Sequence, residues 1–467
     1  MTSAGVAVQY DEWMSASDAI VWHIERDPVL RSTVTAIWFF DRPPEPDRFE
    51  RSIDLLIASV PRLRQRVVAD PMGIASPRWI EAAGFDPADH VHHHDLASGT
   101  ISDGILDTAS ELHTRPFDKS RPLWEMHLFT GLDDGRAAMV VKIHHAIADG
   151  LGLVGIAAAL VQGDRDAEPA AFRGADRVSS EPVLPHLVDA VVHRVEHDAR
   201  LAARAGVAVG RNLFRLAWAP FDHGRQIATT GASIGKTIRP AKSSLSPVMT
   251  ERSRQFQLTR ASWGLDEFRA AARSMEASIN DIFLAGLTGG LGAYHLLHRS
   301  PVDQLRVQMP VSTRAGGDET VGNQFVPARF LVPANIADPA ERVRALSALL
   351  KAERSESGLG FLDQTAEVVQ RLGPVAATQV LSGMLKAVDF VASNVPGNWG
   401  SMYVAGAKVE ELVPYGPCVG AALNATLLSY DGRVTVGITS DQAAIPDPEV
   451  LTRSISEGID EVLRLAG

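Results

Sequence analysis

The chain has little of what marks secreted or membrane-spanning proteins. Cys418 is the single cysteine among 467 residues, so no intrachain disulfide can form, which indicates a reducing compartment. No apolar run reaches the roughly 18–20 residues that span a bilayer. The first 13 residues lack a basic segment followed by an apolar core, as a signal peptide would have. We therefore expect a cytoplasmic protein that meets membranes, if at all, only peripherally.

Positive charge is also scarce. Lysine and arginine number 45 against 56 aspartates and glutamates, which gives a net charge of −11. Such a chain lacks the broad basic surface that nucleic acids require, so we expect no nucleic-acid partner. With 45% hydrophobic and 22% charged residues, the composition is that of a globular protein long enough for two or three domains.

Segments typical of strands and of helices alternate along the chain without an internal repeat, which predicts an α/β (α+β) fold. The pattern predicts strands at 33–40, 137–143 and 305–311, and a hairpin at 423–438 that turns at Asp431-Gly432. It predicts helices at 49–60, 151–161, 263–275 and 279–297.

Two such halves are separated by a long connection. It contains an apolar helical stripe at 184–218 and a turn-rich segment at 223–247. We predict an N-terminal domain at 1–180, a helical crossover linker at 181–250 and a C-terminal domain at 251–467.

The motif "IHHAIADG" at 143–150 follows a strand and precedes a helix. Consecutive strand residues point to opposite faces, so His144 and His145 cannot both face one cavity unless the strand ends there. This disfavours a shared metal ion, whose histidine ligands are usually spaced i,i+2 on a strand or i,i+4 on a helix. One imidazole with a pKa of ~6.5 that faces a cavity fits a general base.

Asp149 has two interpretations. It could cap the helix that starts near Leu151, or it could pair with a buried arginine, Arg62 or Arg64, and hold the histidine loop. Gly150, which follows it, permits a tight turn or close backbone approach.

The helix after the motif begins with small residues. Gly152, Gly155 and Ala159 share one helical face, and glycine within a helix costs about 0.5–1 kcal/mol relative to alanine. Either close helix–sheet packing or room for a bulky substrate beside the histidine would explain them.

Three other patterns have weak context. His92 and His94 in "HVHHHD" would share a strand face and could hold a metal ion, but we predict no metal site. "GASIG" at 231–235 fits the serine-hydrolase motif around Ser233, yet it lacks the flanking strand and helix. Thr230 occupies the first glycine position of a near-P-loop sequence, so no phosphate cradle is predicted.

Several motifs, in their order, resemble the bacterial wax ester synthase/diacylglycerol acyltransferase family, which is related to chloramphenicol acetyltransferase, peptide-synthetase condensation domains and carnitine acyltransferases. They are the opening segment 14–25, Pro122-Leu123-Trp124, the histidine motif, Asn280-Asp281, 309–314 with 322–325, and 392–409. The chain departs from the family near Ser246, where an asparagine is expected.

The resemblance implies two chloramphenicol acetyltransferase-like domains, each a mixed sheet with flanking helices, and a channel between them. The histidine motif would lie mid-channel, reached by the acyl donor from one mouth and by the alcohol from the other.

The resemblance also implies an O-acyltransferase that moves a long-chain acyl group from acyl-CoA to diacylglycerol, giving triacylglycerol, and/or to a long-chain alcohol, giving a wax ester. His145 would be the general base, with His144 and Asp149 in support, and no metal ion or cofactor beyond the acyl-CoA substrate. Substrate would contact Gly150, Trp124, Gly155 and Asn280, although core packing would also explain Trp124 and helix capping Asn280-Asp281. A lipid-droplet or membrane surface is a further expected partner, and no pattern indicates an oligomeric state.

Other function classes stay open. The donor could be bound to a carrier protein, as in condensation enzymes. A non-catalytic paralogue would bind lipid without turnover, and a lipase or esterase would use Ser233.

Overall fold

The computed structural model describes residues 12–69, 76–100, 102–147, 150–169, 243–312, 325–356, 382–383, 385–395, 397 and 400–466. The strands are β1 Thr33–Phe40, β2 Gln65–Val68, β3 Arg78–Glu81, β4 Val91–Thr100, β5 Trp124–Leu132, β6 Ala137–His144, β7 Phe256–Gly264, β8 Gln304–Ser312, β9 Phe325–Pro333, β10 Phe390–Val395, β11 Tyr403–Val404, β12 Ala407–Tyr415, β13 Leu423–Tyr430 and β14 Arg433–Asp441. The helices are α1 Ala16–Ile24, α2 Pro46–Ser59, α3 Ser102–Thr114, α4 Gly150–Leu160, α5 Leu265–Ser274, α6 Ile279–Leu297, α7 Pro339–Glu356 and α8 Pro448–Leu463.

Two six-stranded sheets, with orders β11-β12-β1-β6-β5-β4 and β7-β14-β13-β10-β8-β9, organise the fold. Both are mixed, because β4 runs parallel to β5, and β10 runs parallel to β13 and β8, among otherwise antiparallel pairs. Helices α1, α2 and α4 share a core with the first sheet, and α5 to α8 share a core with the second. The predicted fold class is confirmed, whereas the channel between the domains stays a prediction.

Most predicted elements match observed ones. The strands 33–40 and 137–143 correspond to β1 and β6, and the helix 279–297 is α6. The hairpin turns at Asp431-Gly432, where both residues have positive φ (43° and 78°), as a tight two-residue turn requires. The stripe at 184–218 and most of the segment 223–247 lie outside the described residues.

The predicted helix at 263–275 is wrong at its start. Trp263 and Gly264 pair with β14, so they extend β7 instead. Helix α5 begins at Leu265, where the Glu267 carboxylate accepts the Gly264 N–H at 2.8 Å and satisfies a donor at the helix end.

Strand β12 joins the two halves, because it comes from the C-terminal half but pairs with β1 of the first sheet. Its other side lies against the second sheet, where Glu411 pairs with Arg260 and accepts the Ser262 hydroxyl at 3.0 Å. A Cβ atom at Gly437 would lie 1.9 Å from the Pro414 carbonyl oxygen, so only glycine allows this approach. The domain boundaries 1–180, 181–250 and 251–467 stay predictions.

The apolar layer between the sheets contains a buried histidine. His113, at the end of α3, is 3% exposed, and its Nδ1 lies 2.9 Å from the Thr35 hydroxyl. Burial, with the nearby charges of Lys142 and Arg31, lowers the pKa of His113 to about 3. His113 is therefore neutral in the folded protein at any pH near neutrality.

We predict that His113 makes stability fall as the solution is acidified. Between pH 6.5 and about 3 the unfolded chain binds a proton that the folded chain excludes, so this group alone lowers the free energy of unfolding by about 1.4 kcal/mol per pH unit there. Urea unfolding of wild type and His113→Gln from pH 7 to pH 4 should show a shallower slope for the variant. The exposed His93, changed to Gln, is the control, and equal slopes for wild type and His113→Gln would contradict the assignment.

Among the described residues, no helix is both long and apolar enough to cross a bilayer.

Candidate active site

The histidine motif begins where β6 leaves the sheet. Strand β6 lies between β1 and β5, with Thr33 opposite His144 and Trp124 opposite Ile143. Past the strand, the His145 N–H donates to the Ser32 carbonyl at 2.8 Å, and the Ile147 N–H donates to the His144 carbonyl at 2.9 Å. The backbone therefore keeps the β1 register for one more residue and then turns.

His144 is fully buried, at 0% exposed. Its Nδ1 accepts the Ala146 N–H at 3.0 Å, so the proton of the neutral ring lies on Nε2. That nitrogen lies 3.0 Å from Glu25 Oε1, and the rings of Trp22 and Phe117 pack edge-on against the imidazole. His144 therefore exposes no surface to a substrate, and its supporting role stays a prediction.

Glu25, just past the end of α1, is the carboxylate that faces His144. The same oxygen, Oε1, accepts the Ser32 N–H at 2.8 Å, and Oε2 pairs with Lys119 at 2.9 Å. Burial opposes ionisation of Glu25, but His144, Lys119 and the Ser32 N–H outweigh it and lower the pKa of Glu25 to about 2. Glu25 is not among the predicted residues, because nothing in the sequence pattern links the end of α1 to the end of β6.

His145 is the half-buried histidine of the pair. The surrounding residues hold its backbone in place. Ala146 and Ile147 are buried, and the His145 N–H donates to the Ser32 carbonyl. His144 is therefore fully buried, whereas the neighbouring His145 is partly accessible, as the end of a strand allows.

Asp149 lies outside the described residues, so its predicted roles stay predictions. Its two candidate partners differ. Arg64 donates a hydrogen bond to the Ile57 carbonyl at 2.7 Å and lies 3.6 Å from the Glu81 carboxylate. Arg62 is 8% exposed, stacks on Trp79 and donates to Gln65.

Trp124 lies in the core and has no surface for substrate. It is 1% exposed, its indole N–H donates to the Leu63 carbonyl at 2.8 Å, and His90 stacks on its ring at 4.8 Å. A buried indole with a satisfied N–H is typical of a packing group, which favours the core role that the sequence left open; the substrate contact stays a prediction.

Asn280 is separate from the cap of its helix. Ser278 and Asp281 form a reciprocal capping box at the start of α6, which explains Asp281. The Asn280 Oδ1 is buried and meets no hydrogen-bond donor in the described parts of the chain. Capping therefore does not explain Asn280.

Helix α4 begins at Gly150 and carries the small residues. Gly155 is exposed, and a Cβ atom placed there would meet no atom of the described residues within 4 Å. Close packing against this part of the chain therefore does not explain Gly155, and the space that these residues leave beside it is open.

The other histidine-rich segment is strand β4, for which the absence of a metal ion stays a prediction. His92 and His94 lie on one face of β4, as predicted, and both rings contact His127 of β5. Over the described stretches, no group of three or more His, Cys, Asp or Glu side chains is arranged to hold a metal ion.

Ser246 and His295 form a second polar pair in the C-terminal half. The Ser246 hydroxyl lies 2.8 Å from His295 Nε2, His295 Nδ1 donates to the Leu291 carbonyl, and the hydroxyl accepts the Met249 N–H at 2.9 Å. Both residues are buried, at 2% and 0% exposed, so Ser246 is not an accessible nucleophile. An asparagine, the residue expected here, could accept and donate in the same places. Ser233 lies outside the described residues.

Comparisons with known proteins agree with the motif. A family model described as the wax ester synthase/diacylglycerol acyltransferase catalytic domain matches residues 14–283, and one described as the WS/DGAT C-terminal domain matches 321–462. The chain belongs to the wax ester synthase/diacylglycerol acyltransferase family. This membership confirms the predicted resemblance and the acyltransferase class.

Similar proteins extend over nearly the whole length. A putative diacylglycerol O-acyltransferase of Mycobacterium tuberculosis is 30% identical over 100% of this chain and 95% of that protein. The wax ester synthase/diacylglycerol acyltransferase from Marinobacter aquaeolei VT8 superposes with a TM-score of 0.66 at 19% identity, covering 98% of this chain and 100% of the other. The first condensation domain of the calcium-dependent antibiotic synthetase gives a TM-score of 0.59 at 16% identity, covering 98% and 97%. Both solved structures share the fold.

Proposed function

We propose that this acyltransferase moves a long-chain acyl group from acyl-CoA to a lipid alcohol, diacylglycerol or a long-chain fatty alcohol, with His145 as the general base. The observation that carries the proposal is the difference between two adjacent histidines: His144 is fully buried, with Nδ1 accepting the Ala146 N–H and Nε2 3.0 Å from Glu25, while His145, just past the end of the strand, is partly exposed. The family match and the names of the relatives support the donor and acceptor classes.

The chemistry needs few groups. His145 removes the proton from the alcohol hydroxyl as the oxygen attacks the thioester carbonyl, and the tetrahedral intermediate then expels the thiolate, which receives that proton. A thiol with a pKa near that of cysteine, ~8.5, is a good leaving group, so the step requires no covalent enzyme intermediate. The predicted absence of a cofactor, the cytoplasmic location and contact with a membrane or lipid-droplet surface stay predictions.

We predict that His145→Ala lowers turnover by about 10²–10⁴-fold, the usual contribution of a general base. The assay follows thiol release from free acyl-CoA in the presence of diacylglycerol or a long-chain alcohol, and circular dichroism checks folding. Near-wild-type turnover in a folded His145→Ala protein would show that another group is the base. If wild type itself accepts only a carrier-bound acyl group, the donor proposed here is wrong.

We propose that Asp149 pairs with Arg62, because Arg62 is the more buried of the two candidates: it is 8% exposed, whereas the Arg64 side chain is 31% exposed. Loss of one partner of a buried ion pair costs about 3–5 kcal/mol, because the other charge is left uncompensated. Asp149→Asn should therefore lower both the melting temperature and the rate, and Arg62→Gln should do the same. A helix cap would tolerate asparagine, so an unchanged melting temperature in Asp149→Asn would favour the cap.

We propose that the open space beside Gly155 receives part of the acyl chain. Gly155→Leu should then depress kcat/KM for long-chain acyl donors more than for short ones, because the new side chain occupies that space. Gly155→Ala is the control: it should raise the free energy of unfolding by about 0.5–1 kcal/mol with little effect on chain-length preference. A uniform loss at every chain length in Gly155→Leu would place the acyl chain elsewhere.

The unpaired Asn280 Oδ1 supports a substrate contact for that residue. A buried acceptor without a donor costs stability, and a hydroxyl or amide N–H of a bound substrate would satisfy it.

A further inference from the structure

One carboxylate oxygen contacts the two residues that hold the His145 backbone, Ser32 and His144. Glu25 Oε1 accepts the Ser32 N–H at 2.8 Å and lies 3.0 Å from His144 Nε2. Ser32 in turn accepts the His145 N–H at 2.8 Å, and His144 precedes His145 in the chain. The end of α1, the start of β1 and the end of β6 therefore meet at Glu25.

We propose that Glu25 is a positioning residue for the reaction, one that sets the direction of the His145 imidazole without touching substrate. This inference rests on the proposed role of His145. A small displacement of a base can cost about 10²-fold in rate, so the residue that fixes the backbone beside the base should affect kcat more than KM.

The contacts separate two ways in which Glu25 could act. Oε1 makes both contacts to the histidine turn, whereas Oε2 faces Lys119 at 2.9 Å, a side chain that is 43% exposed. If position matters, an oxygen at Oε1 is required and the negative charge is not. If charge matters, a carboxylate is required, whatever the length of the side chain that bears it.

Two substitutions give opposite predictions. Glu25→Gln keeps an oxygen at the Oε1 position and removes the charge, and we expect its kcat within about threefold of wild type. Glu25→Asp keeps the charge but is one methylene shorter, and we expect kcat to fall about 10–100-fold with the KM for acyl-CoA changed less than about threefold. Lys119→Met removes the ion pair with Oε2 and the cation–π contact with Trp22 but leaves both Oε1 contacts, and it should leave kcat near wild type.

A separate control tests whether a loss of stability alone lowers kcat. Ile459→Val, in the core of the second sheet at 0% exposed, should lower the melting temperature without changing kcat. A second control combines Glu25→Asp with His145→Ala. If Glu25 acts through His145, the double variant should be no slower than His145→Ala, because interacting groups are non-additive.

Three results would overturn the inference. They are wild-type kcat in Glu25→Asp, a larger loss in Glu25→Gln than in Glu25→Asp, and a further loss of rate when Glu25→Asp is added to His145→Ala. Failure of the proposed function is distinguishable, because it would show as normal turnover in His145→Ala alone and would remove both proposals. If His145→Ala has a low kcat but the Glu25 variants have the wild-type kcat, only the positioning role is contradicted.

Discussion

The pairing of β6 between β1 and β5 is the constraint on which the active-site region depends. A strand with neighbours on both sides cannot rotate, so each side chain is committed to one face of the sheet. The last paired residue, His144, is thereby directed into the protein. His145, the next residue, keeps the β1 register through its N–H bond to the Ser32 carbonyl but is less buried than His144, so the two adjacent histidines have different surroundings.

The second constraint is β12, which binds the C-terminal half to the first sheet. Its ladder with β1 extends the sheet that contains the motif, and its approach to β14 leaves no room for a side chain at Gly437. The halves are therefore connected by main-chain hydrogen bonds and by the Arg260–Glu411 pair, and not by apolar contact alone. Relative movement of the sheets would have to break the Arg260–Glu411 pair and separate Gly437 from Pro414.

Sequence patterns predicted the local features well and the long-range ones poorly. Strands β1 and β6 and helix α6 are fixed by continuous apolar runs and a capping residue, which a window of a dozen residues contains. The partner of β12 and the contact between Glu25 and His144 depend on residues far apart in the chain, and no local periodicity encodes them. Trp124 illustrates a third limit, because a tryptophan with a satisfied N–H in the core and one in a binding site have the same sequence signature.

One observed anchor and one proposed anchor hold the short loop of the motif. The first anchor is observed, since Ser32 and His144 hold the start of the loop through Glu25. The second is the proposed pair of Asp149 with Arg62, immediately before α4 begins at Gly150. A chain held at both ends over so few residues has little conformational freedom left to lose. The catalytic imidazole proposed here can therefore be partly exposed and still be pre-organised, because its supports lie in the buried residues on either side of it.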